Sequence, residues 1–297
     1  MRLMRYERGS GPEIGIENSR GLLADCGEIC RALGWPAVAT LQEIIEQWGP
    51  DMAAAAAEAA EAMEGCAADS VKVLTPIPWT RRNVFCLGKN YAEHARELEG
   101  MTANLSGLPE RPIYFTKTAS PAIGPEDPIR LFEAITGGEV DYEVELAVII
   151  GRQGVDIAPQ EAESHIFGYT ILNDISARQL QVRHTQWFRG KCLDTHTVIG
   201  PAVVHRNRLP LPLNLKLGTL VNGEVRQASD TSHLIFDIPT IISDLSRATT
   251  LYPGDIIATG TPSGVGMGFK PPRYLAAGDV VECWIEGIGT LRNPVAP

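Results

Sequence analysis

The run Asp141-Tyr142-Glu143-Val144-Glu145-Leu146-Ala147 leads straight into the apolar Val148-Ile149-Ile150. Alternate residues of a strand share a face, so Glu143 and Glu145 point one way and Val144 and Leu146 the other. By strand geometry the two carboxylates stand about 7 Å apart. Buried together, they lose hydration and repel each other, and the usual remedy is a cation. Hard oxygen donors select Mg2+, Mn2+ or Ca2+ over zinc. A solvent-facing edge strand would show the same pattern with no ion at all. A third carboxylate, Asp174, follows the apolar run Phe167 to Leu172. It either joins the pair, filling half of an octahedral shell and leaving the rest to water and substrate, or it serves as a turn former or cap ahead of Ser176-Ala177-Arg178.

A second constellation lies in Gly88-Lys89-Asn90-Tyr91-Ala92-Glu93-His94-Ala95-Arg96-Glu97. Asn90 can cap a helix there, with Glu93 reaching back in a capping box and Gly100 ending it. His94 and Glu97, three residues apart, then share a helix face. A carboxylate that fixes an imidazole's tautomer and stabilises its cation prepares the histidine for general-base work. An ordinary His–Glu contact on a surface helix is the bland reading. The glycine-rich 260–266 stretch lacks the lysine of a phosphate loop. Its expected task is to present backbone N–H groups around Gly260, with the Thr261 hydroxyl, to a substrate carboxylate. Gln179 and Gln181 follow Asp174 closely enough to reach substrate, though a polar helix face accounts for them equally well. His184, His196 and His205 lack ligand spacing and receive no role.

The elements that must position these residues are mostly short strands. Val84–Leu87, Ile113–Phe115, Val144–Ile150, Ala202–Val204, Leu215–Val221, Ile256–Thr259 and Val280–Ile285 read as strands separated by turns. Asn222-Gly223 between apolar flanks predicts a type I′ hairpin. One amphipathic helix is expected around Ile238 to Arg247. Strands rarely alternate with helices, which disfavours a doubly wound parallel sheet. The expected class is therefore α+β and β-rich, a mixed β-roll or barrel-like domain over residues 80–297. Residues 1–72 differ in texture and predict a small α+β unit. It comprises strands near Leu3–Tyr6, Ile14–Ile16 and Leu22–Ala24, then helices from Leu41, capped by Thr40, and from Met52 to Met63. Pro76 and Pro78 mark a linker across 75–83.

Composition narrows the function classes. At 297 residues and 44% hydrophobic, the chain can bury a large core. Its formal charge of −10 argues against a nucleic-acid partner, which demands clustered Lys and Arg. No apolar run reaches the roughly 20 residues of a membrane span. The early acids Glu7, Glu13 and Glu17 break any signal-peptide pattern. Six cysteines without CxxC spacing read as reduced thiols, and the cytoplasm is the expected location.

Several blocks together resemble the fumarylacetoacetate hydrolase family. They are Asp141–Ala147, the run Gly168-Tyr169-Thr170 to Asn173-Asp174-Ile175-Ser176-Ala177-Arg178, Gln186-Trp187 to Gly190-Lys191 with Asp194, Thr259–Gly266, and Gly287 to Val295. The resemblance spans residue 83 to the end, and the first 70 residues look like the smaller, variable domain that many members carry. It implies a mixed β-roll, one Mg2+ or Mn2+ per subunit held by Glu143, Glu145 and Asp174, and a homodimer or dimer of dimers. It also makes Lys191 an active-site cation beside a developing enolate, and His94–Glu97 the pair that activates water on a mobile segment. Lys117 matches a lysine near the substrate pocket. The implied reaction is hydrolysis of a C–C bond in an acylpyruvate-like or other 1,3-diketo compound, such as fumarylpyruvate or a diketo sugar acid. The alternatives are oxaloacetate decarboxylation, keto-acid isomerisation, opening of a cyclic β-diketone, or a silent ligand-binding relative. Thr195–Ile199 departs from the family pattern, where an aromatic and a proline are common, and pocket specificity is expected from a lid around residues 98–110 and from the N-terminal domain.

Overall fold

The computed structural model describes residues 1–9, 11–99, 107–119 and 121–297. The N-terminal meander is β1 (Arg2–Arg8), β2 (Gly11–Glu17) and β3 (Leu22–Asp25), followed by α1 (Cys26–Leu33), α2 (Leu41–Gln47) and α3 (Pro50–Ala62). Thr40 caps α2 through the Glu43 N–H, and Glu43 returns the bond in a capping box. The remainder contributes β4 (Val84–Gly88), α4 (Ala92–Glu97), β5 (Ile113–Lys117), β6 (Val144–Ile150), β7 (Ile166–Asp174), α5 (Arg178–Arg183) and α6 (Phe188–Lys191). After these come β8 (Thr197–His205), β9 (Lys216–Val221), β10 (Glu224–Asp230), α7 (Ile238–Leu245), β11 (Ile256–Ala258), β12 (Val280–Ile285) and β13 (Gly289–Ala296). Asn222 and Gly223, both at positive φ, turn β9 into β10 as the hairpin signal required.

The largest sheet runs β3-β2-β1-β8-β7-β6-β11-β4-β5, with the two-residue strand Cys66–Ala67 beyond β3. Its pairs are antiparallel except β11 with β4, where Ile257 opposes Phe85. A second sheet, β10-β9-β12-β13, packs across it. The sheets stay open, and the barrel-like alternative gives way to two packed layers, because β5 ends the large sheet instead of bonding back to its first strand. Residues 1–72 join the same sheet edge to edge: Arg2 pairs with Val204 and Leu3 with Val203.

Strand alternation explains why β6 can carry both acids and core. Val144, Leu146, Val148 and Ile150 face the second sheet and meet Leu217, Val281 and Ile285. Ala147 and Ile149 face the other way, toward Leu41, Ile44 and Ala56 of the N-terminal helices. Glu145 lies on that second face at the strand's mouth. With both faces covered, the strand is buried throughout.

His196, just ahead of β8, is fully buried, and its Nε2–H donates to the Arg130 carbonyl at 2.9 Å. Burial drives its pKa down from 6.5 to about 3. Below pH 6.5 an unfolded chain binds a proton there that the folded chain refuses until about pH 3, so stability falls across that window. In chemical denaturation between pH 6.5 and 4, the variant His196→Gln should show a shallower acid slope than the parent chain. An unchanged slope would remove His196 as an acid-sensitive point.

Candidate active site

Glu143 immediately precedes β6, Glu145 is its second residue, and Asp174 ends β7. The antiparallel register sets Val144 opposite Asn173, which brings the three acids to one corner. Asp174 N–H donates to the Glu143 carbonyl at 2.8 Å, and the Asn173 side-chain oxygen accepts from the Glu143 N–H at 3.1 Å. All three carboxylates are buried, and each offers an oxygen within 4.8 Å of the others.

Basic side chains converge on the same corner. Lys191 Nζ bridges Glu143 Oε2 at 2.8 Å and Asp174 Oδ2 at 2.7 Å. Lys117 Nζ pairs with Asp174 Oδ1 at 2.7 Å, and Arg178 spans Glu143 Oε1 at 2.7 Å and Asp141 Oδ2 at 2.9 Å. Burial works against the Glu143 charge, but Lys191 and Arg178 overcome it and hold the carboxyl well below its usual range. Lys191 behaves reciprocally: burial opposes its charge, and Asp174 and Glu143 raise its pKa. Glu145 is different. It accepts a hydrogen bond from the Gly260 N–H at 2.8 Å, and burial followed by repulsion from Asp174 and Glu143 pushes its pKa far up. The four acids Asp141, Glu143, Glu145 and Asp174 thus meet three cations, Lys117, Arg178 and Lys191. Glu145 is the acid for which no ion pair is made among the described residues, and burial and repulsion favour its neutral form in the absence of a cation. Three hard oxygens, one of them on an acid with no ion pair, fit a divalent cation of the Mg2+ or Mn2+ type.

Across the cavity from these acids stands α4. His94 Nδ1 lies 3.0 Å from Glu97 Oε2, and Glu97 Oε1 accepts from the Gly264 N–H at 2.9 Å. His94, Glu143, Glu145, Arg178, Lys191 and Thr261 line one cavity. Phe115 and Trp187, edge to face at 5.4 Å, form its aromatic wall. Asn90 does not cap α4, contrary to expectation. Tyr91 occupies the cap position, and the Asn90 amide instead binds Phe236 N–H and the carbonyls of Phe236 and Thr259. Gly100, the expected end of the helix, and residues 101–106 of the expected specificity segment lie outside the described residues.

Three other expected contacts fall elsewhere. Lys117 lies beneath the acids, donating to the Ile175 and Lys191 carbonyls, and does not line the cavity. Gln179 turns toward Gly137 and Arg183, while Gln181 lines the cavity and accepts from Arg178 at 3.0 Å. The Gly260 N–H already serves Glu145, so it is not free for a substrate carboxylate. Sequence reasoning assigned no role to Asp141 or Arg178. Asp141 is fully buried, receives the N–H groups of Gly266 and Met267 at 2.6 and 2.9 Å, and anchors Arg178. An acid in the same motif as two others was a usable signal. An arginine four residues beyond Asp174 gave none, because arginines are normally solvated.

A β-rich fold that buries an acidic triad in the same cavity as a helix-borne histidine combines a candidate hard-cation site with a candidate base. The family model for the fumarylacetoacetate (FAA) hydrolase C-terminal region matches residues 83–296, and the chain belongs to that family. It is 49% identical over 225 residues to the oxaloacetate tautomerase YisK of Bacillus subtilis, covering 76% of this chain and 73% of that protein. It is 39% identical over 301 residues to the mitochondrial oxaloacetate tautomerase FAHD2A of Bos taurus, covering 99% and 91%. The structure of maleylpyruvate hydrolase from Sphingobium sp. SYK-6 in complex with manganese(II) and pyruvate superposes with a TM-score of 0.77. Its identity is 29%, over 100% of this chain and 99% of that one. Among the described residues no helix is long and apolar enough to cross a membrane, and all six cysteines are free.

The isolated position of Glu145 yields a stability test. In chelator-treated protein, Glu145→Gln removes a repelled carboxylate and keeps an acceptor for Gly260. It should stabilise the metal-free chain by roughly 1 kcal/mol or more, the scale of relieving a buried, poorly compensated polar group. Thermal melting with and without Mn2+ checks this: the variant should melt higher than the parent without metal and gain little when metal is added. A metal-free variant that melts lower contradicts the charge account.

Proposed function

We propose that this chain is a divalent-metal-dependent enzyme that interconverts the keto and enol forms of a small 2-oxo dicarboxylic acid of the oxaloacetate type. The carrying observation is His94: its Nδ1 is held by Glu97, and its ring lines the same cavity as the three carboxylates. With Nδ1–H donated to Glu97, the Nε2 lone pair is left for a substrate proton. The curated tautomerase relatives, one of them matching nearly the whole chain, support this direction over C–C hydrolysis.

Glu143, Glu145 and Asp174 would hold the Mg2+ or Mn2+ ion. When bound, the ion supplies Lewis-acid polarisation of the substrate's 2-oxo group and adjoining carboxylate. The chain's own residues do the rest. His94 takes a proton from the methylene carbon between the keto and remote carboxylate groups, with Glu97 offsetting the imidazolium charge. Returned to the carbonyl oxygen, the same proton completes the enol, and the reverse sequence restores the ketone. Lys191 and Arg178 place positive charge beside the oxygen where charge develops. Phe115 and Trp187 exclude water on one side, which strengthens each of these attractions.

Hydrolysis of an acylpyruvate-type diketo acid is the second reading. The same His94–Glu97 pair favours it, since an oriented imidazole can deprotonate water as readily as carbon. Assay of Mn2+-loaded enzyme with enol oxaloacetate, followed by loss of its ultraviolet absorbance, and with an acylpyruvate panel separates the two. Accelerated ketonisation is expected. Cleavage of acylpyruvates with no acceleration of oxaloacetate would replace the first reading with the second. His94→Asn should cut turnover by about 100-fold or more, the usual share of a general base, while Mn2+ affinity stays unchanged.

A further inference from the structure

Gln227 sits outside every motif considered above, on β10 of the second sheet, yet its side chain is fully buried against the active site. A register shift puts it there. Thr219 pairs with Gln227 but Leu220 pairs with Val225, so Arg226 is the extra residue of a β-bulge. Such bulges bend a strand and re-aim the next side chain, and here the amide enters the space between the two sheets.

All four hydrogen-bonding positions of that amide are filled. Its Oε1 accepts from the Val144 N–H at 3.1 Å and from the Thr219 hydroxyl at 2.8 Å. Its Nε2 donates to Thr261 Oγ1 and to the Pro262 carbonyl, both at 2.8 Å. The Val144 N–H can only donate and the Pro262 carbonyl can only accept, which fixes the amide orientation without ambiguity. Thr219 gives its single proton to Gln227, so the 3.6 Å contact between Thr219 and Cys283 must be donated by the thiol. Proton directions therefore run one way, from Cys283 through Thr219 and Gln227 to Thr261. With its oxygen taken by Gln227, Thr261 has its own proton left to donate, and Thr261 lines the cavity.

We propose that Gln227 is a positioning residue that locks the Thr261 hydroxyl as a hydrogen-bond donor to an anionic oxygen of the bound keto acid. Through Val144 it also holds the backbone between Glu143 and Glu145. The inference rests on the reading of this cavity as a keto-acid site. It explains why an uncharged but fully polar side chain is buried at the junction of two sheets. A hydrophobic residue would leave Val144 N–H and Thr261 unpaired, and a carboxylate would turn the threonine proton inward.

The test uses the full chain loaded with Mn2+ and oxalate as an unreactive probe, with binding read by calorimetry. Thr261→Val and Gln227→Glu should each weaken oxalate binding about tenfold, the scale of one lost hydrogen bond to a charged group. Gln227→Glu keeps acceptors for Val144 and Thr219, so its Mn2+ affinity should match the parent's. The double variant should bind oxalate no more weakly than Thr261→Val alone, because both changes remove one interaction. A purely structural glutamine would instead lower the melting temperature and give additive losses. Full oxalate affinity in Gln227→Glu, or additivity, overturns the proposal. If the buried carboxylate prevents folding, Gln227→Met takes its place, and its effect on oxalate affinity should be smaller in the Thr261→Val background than in the parent; an equal effect in both overturns the proposal. Failure of the unmodified chain to bind oxalate would overturn the keto-acid reading together with this inference. Parental binding alongside an unaffected Gln227→Glu overturns the inference alone.

Discussion

Charge burial governs this molecule. Four acids and three bases are withdrawn from water at the ends of two apolar strands, and every one of them except Glu145 has an opposite charge within about 3 Å. Removal of one member leaves its partners exposed to the full desolvation cost. The arrangement therefore constrains everything around it: Lys117 must come up from β5, Arg178 must enter from α5, and Lys191 must close α6 over the pair. Glu145 is the acid left without an ion pair among the described residues, and it stands where three carboxylate oxygens converge. Structural ion pairing and the capacity to hold a dication are two aspects of one design.

The surrounding fold serves that corner at every level. Period-two alternation lets β6 present acids at its mouth and aliphatic side chains deeper on the same face. The N-terminal helices cover that face, and the second sheet covers the other. Gly260, at positive φ, shows how tight the result is. Its N–H reaches Glu145, and a side chain there would run into Asn90 at the base of α4.

Much of this was legible in the sequence for physical reasons that operate locally. Alternation, the Asn222-Gly223 turn and the Thr40 cap depend on near neighbours, so those elements could be read directly. The acids stood out because charge inside an apolar run is anomalous wherever the chain folds. Arg178 and Lys117 were harder, since a lone basic residue carries no sign that distant acids will enclose it. Openness of the sheets was also hidden, because closure depends on long-range register and not on the content of any one strand. Asn90 misled for a related reason: a competent helix cap was claimed by a stronger set of partners more than a hundred residues away. Gln227 left no trace at all, because a bulge far downstream of the acids, at Arg226, aims it.

One carboxylate, on Glu97, divides its two oxygens between the His94 ring and the Gly264 amide. The carboxylate that orients the imidazole is consequently also the one that seats the helix against the loop. His94 and Glu97 belong to the same helix, so they keep their mutual contact wherever that helix goes, and the Gly264 bond is what ties the oriented pair to the loop. Orientation of the base is thus built into the helix, and its placement opposite the acids is left to docking.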